Sequence, residues 1–301
     1  MIEQTEKRKK LTKDKKNLII FIALMVAPAV LNILIFWLRI NVEAMFKAFI
    51  DYETGEVTFN NFVVAYEMLT KSKGADLNLA FSNTMKFFLL GLANVPVTLF
   101  AAYMIFKKMA GSGWVRIFLY LPGAISSLMM ARLFNQFTMA DGVLGNYYDM
   151  QGMSLMTNEK TALYGIMFYD IWIGLGGGLV LWFGAMGRIP PELIEYGNME
   201  GVKPVREFVT IILPLIWPTL VTMVMLQLMG IFGASGSILV FTQGNYKTMT
   251  LSYWMYEILR AGKEHEYRIG NAAGLVLTVL TIPIMLFGRA IMNKFGQEVE
   301  Y

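Results

Sequence analysis

Residues 18–38 read LIIFIALMVAPAVLNILIFWL. No charge interrupts the run, and only Pro28 and Asn32 break its apolar character. A helix needs ~20 such residues to cross ~30 Å of hydrocarbon, so the stretch predicts a transmembrane span. Immediately before it stand Lys7, Arg8, Lys9, Lys10, Lys13, Lys15 and Lys16, a concentration of positive charge that marks a cytoplasmic flank. The same features, with Ala27-Pro28-Ala29 as a cleavage site, also fit a secretory signal peptide. The apolar run continues through Trp37, well past a signal core, so an uncleaved first span is expected.

Five more runs repeat the pattern, at about 87–106, 115–137, 163–186, 213–241 and 269–292. Composition agrees: apolar residues make up 56% of the 301-residue chain and charged residues 16%, against ~25% charged in an average soluble domain. The chain holds 21 Phe, 23 Met and 6 Trp, more apolar surface than a soluble globule of this size can hide. Disorder and a disulfide scaffold are excluded, because the chain is hydrophobic and has no Cys. The expected fold is an all-α polytopic membrane protein with six transmembrane helices and both termini cytoplasmic, in the cell (plasma or inner) membrane. That orientation leaves the inner pieces, including residues 1–16 and 293–301, net positive and the outer pieces net negative. A nucleic-acid role has no support, since the basic tail lacks a folded basic face with interleaved aromatics.

Between the spans, the external segment 40–78 carries Phe46, Phe49, Tyr52, Phe59, Phe62 and Tyr66, which predicts a small folded cap. A second external loop, 139–160, is rich in Gly, Tyr and Asn. A third, 242–268, contains an amphipathic helix around Tyr253–Arg260. The cytoplasmic segment 187–213 reads GRIPPELIEYGNMEGVKPVREFVTIIL. Pro190-Pro191 opens a helix, because Pro is tolerated in the first turn, and Glu192 and Glu195 sit near its positive end. Gly201 interrupts, and Lys203-Pro204 starts a second helix. The pattern is an elbow of two short helices under the membrane, either a docking surface or a packed loop.

This elbow resembles the cytoplasmic signature of permease subunits in binding-protein-dependent ABC importers: Glu-Ala-Ala, three residues, Gly, nine residues, Ile, one residue, Leu-Pro. Here Glu195-Tyr196-Gly197 is followed at the same spacings by Gly201, Ile211 and Leu213-Pro214. Tyr196 and Gly197 replace the two alanines, and Glu200 stands where the sugar branch usually has Asp. Ile189-Pro190-Pro191-Glu192-Leu193 is similar to the carbohydrate branch, of the maltose and glycerol-phosphate importer type. Leu121-Pro122, Trp172 and Asn271-Ala272-Ala273-Gly274 fit it too, while Gly142-Val143-Leu144-Gly145-Asn146 only approximates the family's external Gly-x-x-Asn.

The resemblance implies a type I ABC importer permease-like core whose elbow, 187–214, is a coupling helix seated on a cytosolic ATPase. Glu192, Glu195, Glu200, Gly201, Leu213 and Pro214 are the implied ATPase-coupling residues. It also implies a second, non-identical permease, two ATPase subunits that hold ATP and Mg, an extracytoplasmic solute-binding protein, and a sugar or oligosaccharide as cargo. Another polar solute, such as a phosphorylated polyol or a peptide, is the alternative within the class. An autonomous secondary carrier or channel is the alternative outside it.

The chain contains no phosphate-binding G-x-x-x-x-G-K-[ST] loop, so any ATP chemistry belongs to another chain. His265 is the only histidine, which excludes His-x-x-x-His zinc sites and, with no Cys, thiol catalysis. No catalytic residue, metal site or cofactor of its own is therefore expected. Arg132 and Asp170 are the two charges well inside spans, each costing ~2.5–3.5 kcal/mol at mid-bilayer. They fall at similar depth, so they are expected to pair across spans or to touch a polar substrate. Asn94, Asn135, Gln227, Ser235 and Ser237 are milder candidates for the substrate pathway, or helix–helix hydrogen-bonding groups. Gly174-x-x-x-Gly178 and Gly270-x-x-x-Gly274 predict close helix packing or a hinge.

Overall fold

The computed structural model describes residues 13–71, 76–139, 141–143, 154–260 and 262–296, and among these it is helical. The basic tail's first twelve residues, the Leu144-Gly145-Asn146 part of the external motif and residues 297–301 lie outside the described residues. Helix α1 (Lys13–Asn32) passes through a π-helical turn (Ile33–Leu38) into α2 (Arg39–Ala48). The helix therefore runs ten residues past the expected end of the first span. None of its most apolar stretch is buried by the other described residues.

Residues 49–71 fold into a compact unit, the cap, beside the first helix. Helix α3 (Asn60–Lys71) follows a turn pinned by one antiparallel bridge, Ile50 to Val57. The buried Asn61 amide donates to the carbonyls of Ala48 and Ile50, 3.0 Å each. Phe49, Phe59 and Phe62 pack ring against ring.

Helix α4 (Leu77–Phe106) starts where Asp76 accepts the N–H groups of Asn78 and Leu79 (2.9 and 3.1 Å), an N-cap. The third span is two helices, α5 (Ser112–Ala124) and α6 (Ser127–Thr138), joined at a sharp bend. Helix α7 (Ala162–Met186) is straight and packs along α4, its glycines admitting α4 closely: a Cβ at Gly178 would meet Thr98, and one at Gly174 would meet Asn94. The buried Trp182 indole donates to Thr98 Oγ1 (3.1 Å).

The elbow follows as α8 (Pro191–Met199) and α9 (Pro204–Glu207). A π-helical turn (Phe208–Ile212) and a short α10 (Leu213–Leu215) lead into α11 (Trp217–Met229), bent 76° from the preceding segment. The expected fifth span of 213–241 is thus not one helix. It stops at Met229, turns through Gly230–Ser237, and resumes only as α12 (Ile238–Phe241). Helices α13 (Leu251–Arg260) and α14 (Glu264–Phe295) complete the chain. Arg268 on α14 donates to the carbonyls of Ile50 and Asp51 (3.1 and 2.9 Å) and lies 5.5 Å over the Tyr52 ring, fastening the cap to the last helix.

Among the described residues four helices are long and apolar enough to cross a membrane alone, or up to six if each bent pair is one span. The largest core, with Tyr103, Leu179, Trp182, Met186, Ile212 and Ile216, lies where α4 and α7 meet the base of the elbow.

Candidate functional site

Two regions gather the polar groups picked out in the sequence. The first is the elbow. Pro191 occupies the first helical position of α8, and Glu192 lies in its first turn. At the other end Gly201 takes a left-handed φ of +66°, a conformation costly for any residue with a Cβ. The Val202 N–H reaches the Gly197 carbonyl (3.0 Å) and the Gly201 N–H reaches that of Asn198 (3.1 Å). Those paired bonds form a Schellman stop, and they aim α9 back toward the membrane. Gly197 is buried, where a Cβ would come within 3.2 Å of Ile211 Cδ1, an end methyl that a shift of a few tenths of an ångström would clear.

Glu192, Glu195 and Glu200 remain exposed, as do the apolar side chains of Tyr196, Met199 (84%) and Val205 (75%). An exposed apolar patch rimmed by carboxylates marks an interaction surface. Leu213 and Pro214 are half-buried at the joint with α11.

Sequence reasoning missed what holds the elbow. Lys107, capping the inner end of α4, places its ammonium 3.0 Å from Glu207 Oε2 and 3.2 Å from Asn198 Oδ1. One cation thus bridges both elbow helices. The Glu207 side chain is 1% exposed, and its other oxygen, Oε1, has no partner. Removing one member of such a buried pair costs about 3–5 kcal/mol, because the other charge is stranded. One turn earlier, the Tyr103 hydroxyl donates to the Pro204 carbonyl (2.8 Å), and its ring packs on Phe208. A lysine beside an apolar run reads only as a cytoplasmic flank, so no local signal marked Lys107.

The second region lies within the spans. Asn94 on α4 and Gln227 on α11 line one cleft of about 200 Å³, floored by Gly174, Gly177 and Gly178 of α7. Asn94 Oδ1 is buried without a hydrogen-bond partner. No charged side chain lines the cleft.

Asp170 and Ser237 also meet, but not as expected. The structure does not pair Asp170 with Arg132. Both Asp170 oxygens are taken by Ser237, Oδ2 by its N–H (3.0 Å) and Oδ1 by its hydroxyl (2.6 Å). The reason is the break in the fifth span: backbone N–H groups freed at membrane depth need acceptors, and Asp170 supplies one. Gly236, at φ +55°, leaves that carboxylate its space, since a Cβ there would collide with Asp170 Oδ2. Arg132 is exposed on α6 and Asn135 half-buried on the same helix, while Ser235 is half-buried in the break; none of the three lines the Asn94–Gln227 cleft. Among the described residues no group of three His, Cys, Asp or Glu could hold a metal ion.

The chain is similar to known proteins. The family described as binding-protein-dependent transport system inner membrane component matches residues 74–301. A probable ABC transporter permease protein of Mycoplasma pneumoniae (the MG188 homolog) is 26% identical over 227 residues, 69% of this chain and 66% of that one. The arabinooligosaccharides transport system permease protein AraP of Bacillus subtilis is 24% identical over 288 residues, 91% of this chain and 89% of that one. A chain of the bacterial alginate ABC transporter, solved in complex with an alginate pentasaccharide-bound periplasmic protein, superimposes with a TM-score of 0.75 at 25% identity, covering 96% of this chain and 99% of that one.

Proposed function

Because the chain belongs to the family of inner membrane components of binding-protein-dependent transport systems, we propose that it is a permease subunit of an ATP-driven importer for a neutral sugar or oligosaccharide. It forms half of a translocation pathway with a second, non-identical permease. Two ATPase subunits, which carry ATP and Mg, dock on the elbow, and an extracytoplasmic binding protein delivers the solute. Both termini lie in the cytoplasm, in keeping with the basic tail.

The observation that carries the reading is the elbow: a rigidly stopped helix pair, held from within by a buried ion pair, that presents Glu195, Tyr196 and Met199 to the cytosol. A carrier driven by an ion gradient has no use for such a surface. The cargo class draws support from the cleft, where Asn94 and Gln227 offer amide donors and acceptors without a charge. Amides match sugar hydroxyls, whereas an anionic solute calls for a cation. An anionic cargo such as a phosphorylated polyol is the second reading, favoured by Arg132, which stands exposed and outside every ion pair found among the described residues.

The test is purification of the tagged chain in mild detergent, mass spectrometry of what accompanies it, and uptake assays in proteoliposomes. An ATPase and a second permease are expected. Asn94→Ala and Gln227→Ala should each raise the KM for uptake roughly tenfold, the loss of a hydrogen bond or two to solute, while Arg132→Ala leaves it unchanged. Recovery of the chain alone, transporting without ATP, overturns the importer reading. A KM that responds to Arg132 and not to Asn94 moves the cargo to an anion.

A further inference from the structure

Besides the chain's direct entry from α7 through residues 187–190, the elbow has two further connections to the membrane helices, and they differ in stiffness. Toward the fifth span the chain passes a π-helical turn, the short α10 with Pro214, and a 76° bend before Pro218. Every one of these features loosens the regular i→i+4 ladder that makes a helix rigid. Toward α4 the connection is made by side chains: the Lys107 ammonium on Asn198 and Glu207, the Tyr103 hydroxyl on the Pro204 carbonyl, and the Tyr103 ring on Phe208. This side is charge-assisted and touches both elbow helices, with Glu207 buried and the Asn198 contact exposed. A displacement applied to the elbow is therefore taken up by the bend on one side and passed on by the clamp on the other.

Helix α4 is suited to carry it. It continues for 30 residues through Pro96, whose missing N–H removes a single i→i−4 bond, over roughly 45 Å at 1.5 Å per residue. On its way it carries Asn94 through the cleft, and at its outer end Asn83 and Thr84 bind the backbone of 247–251. We infer that the Lys107–Glu207–Asn198 clamp is the joint through which the ATP-driven movement of the elbow reaches α4, and through it the cleft and the outer loop. Lys107 and Glu207 are positioning residues for transport and touch neither ATP nor solute. The inference rests on the importer reading.

The chain has no cysteine, so one introduced at Asn78, exposed in the first turn of α4, reports on this helix alone. The experiment assembles the complete importer from Asn78→Cys permease carrying an environment-sensitive fluorophore and cysteine-free partners. Fluorescence and ATP hydrolysis are followed after ATP is added. In the otherwise wild-type complex ATP should change the fluorescence. In Lys107→Met and Glu207→Gln the complex should still assemble and hydrolyse ATP, with the fluorescence change reduced roughly fivefold or more. Lys107→Arg, which keeps the charge, should retain most of it.

The decisive variant removes both charges, Lys107→Met with Glu207→Leu. Losing both partners of a buried pair strands no charge and is close to neutral for folding. If the pair only supports the fold, this double variant regains the wild-type signal, and the inference fails. If the pair is the joint, the double variant assembles, hydrolyses ATP and stays silent at Asn78. Should the single variants fail to assemble, the double variant still decides. A wild-type chain that binds no ATPase overturns the importer reading itself, independently of any change at Lys107.

Discussion

The cap and the elbow are both short helical excursions between spans, yet the bonds that hold them differ in kind. In the cap, Asn61 and Arg268 are spent inward, each on two backbone carbonyls, and the aromatic rings close on one another. In the elbow, one lysine and one glutamate are buried at the base, while Glu192, Glu195, Glu200 and the apolar Tyr196, Met199 and Val205 face water. The cap is closed like a lid at its foot, on carbonyls and rings, with Glu53, Glu56, Val57 (80%) and Phe59 (70%) left exposed. The elbow is held at its foot by a charge pair and gathers three carboxylates around its exposed apolar side chains, a surface built to meet another molecule.

The largest expected effect breaks the elbow side of that comparison. Gly201→Pro removes the N–H that bonds Asn198 and demands a φ near −65° where the chain has +66°, at a cost of ~3 kcal/mol or more. It should leave membrane insertion intact and abolish substrate-stimulated ATP turnover; normal turnover in that variant removes the coupling role of the elbow. Next comes the break in the fifth span. Gly236→Ala drives a methyl into the Asp170 carboxylate and should destabilise by about 2–4 kcal/mol through strain and the lost Ser237 bonds, read as a lower midpoint in detergent thermal unfolding.

On the cap side, Arg268→Met should cost about 1–3 kcal/mol locally by freeing two carbonyls. Protease should then cut within 49–60 faster, with ATP turnover unchanged. A matching loss of ATP turnover would erase the distinction between lid and docking surface.

The smallest effect concerns Tyr253 on α13, outside the spans. Burial first, then the hydrogen bond to Glu257, pushes its phenol up from 10.0 to about 12. Below pH 10 this contribution to stability is fully present. Between 10 and 12 the unfolded chain gives up the proton and the folded one keeps it, so stability falls as pH rises. Tyr253→Phe should flatten that part of the profile, measured as unfolding midpoint against pH.

Much of this was legible locally. The elbow follows from Pro190-Pro191, Gly201 and Lys203-Pro204, because proline and glycine act on their own backbone and need no distant partner. The cap was visible in its aromatic spacing and α13 in its amphipathic period. The expected Arg132–Asp170 pair failed because similar depth does not fix which way a side chain points. The break at Gly230–Ser237 was hidden inside an apolar run, since hydropathy reports what lipid will accept and not where a helix stops.

The chain itself therefore determined that it lives in a membrane, where its apolar runs lie and where the elbow turns, because those properties reside in composition and in neighbouring residues. Only the folded molecule decided that Asp170 serves Ser237, that Asn94 and Gln227 share a cleft, and that Lys107 holds Glu207 a hundred positions away. Each of these depends on which helix faces meet, and packing of one helix against another is set by the whole arrangement at once rather than by any local stretch.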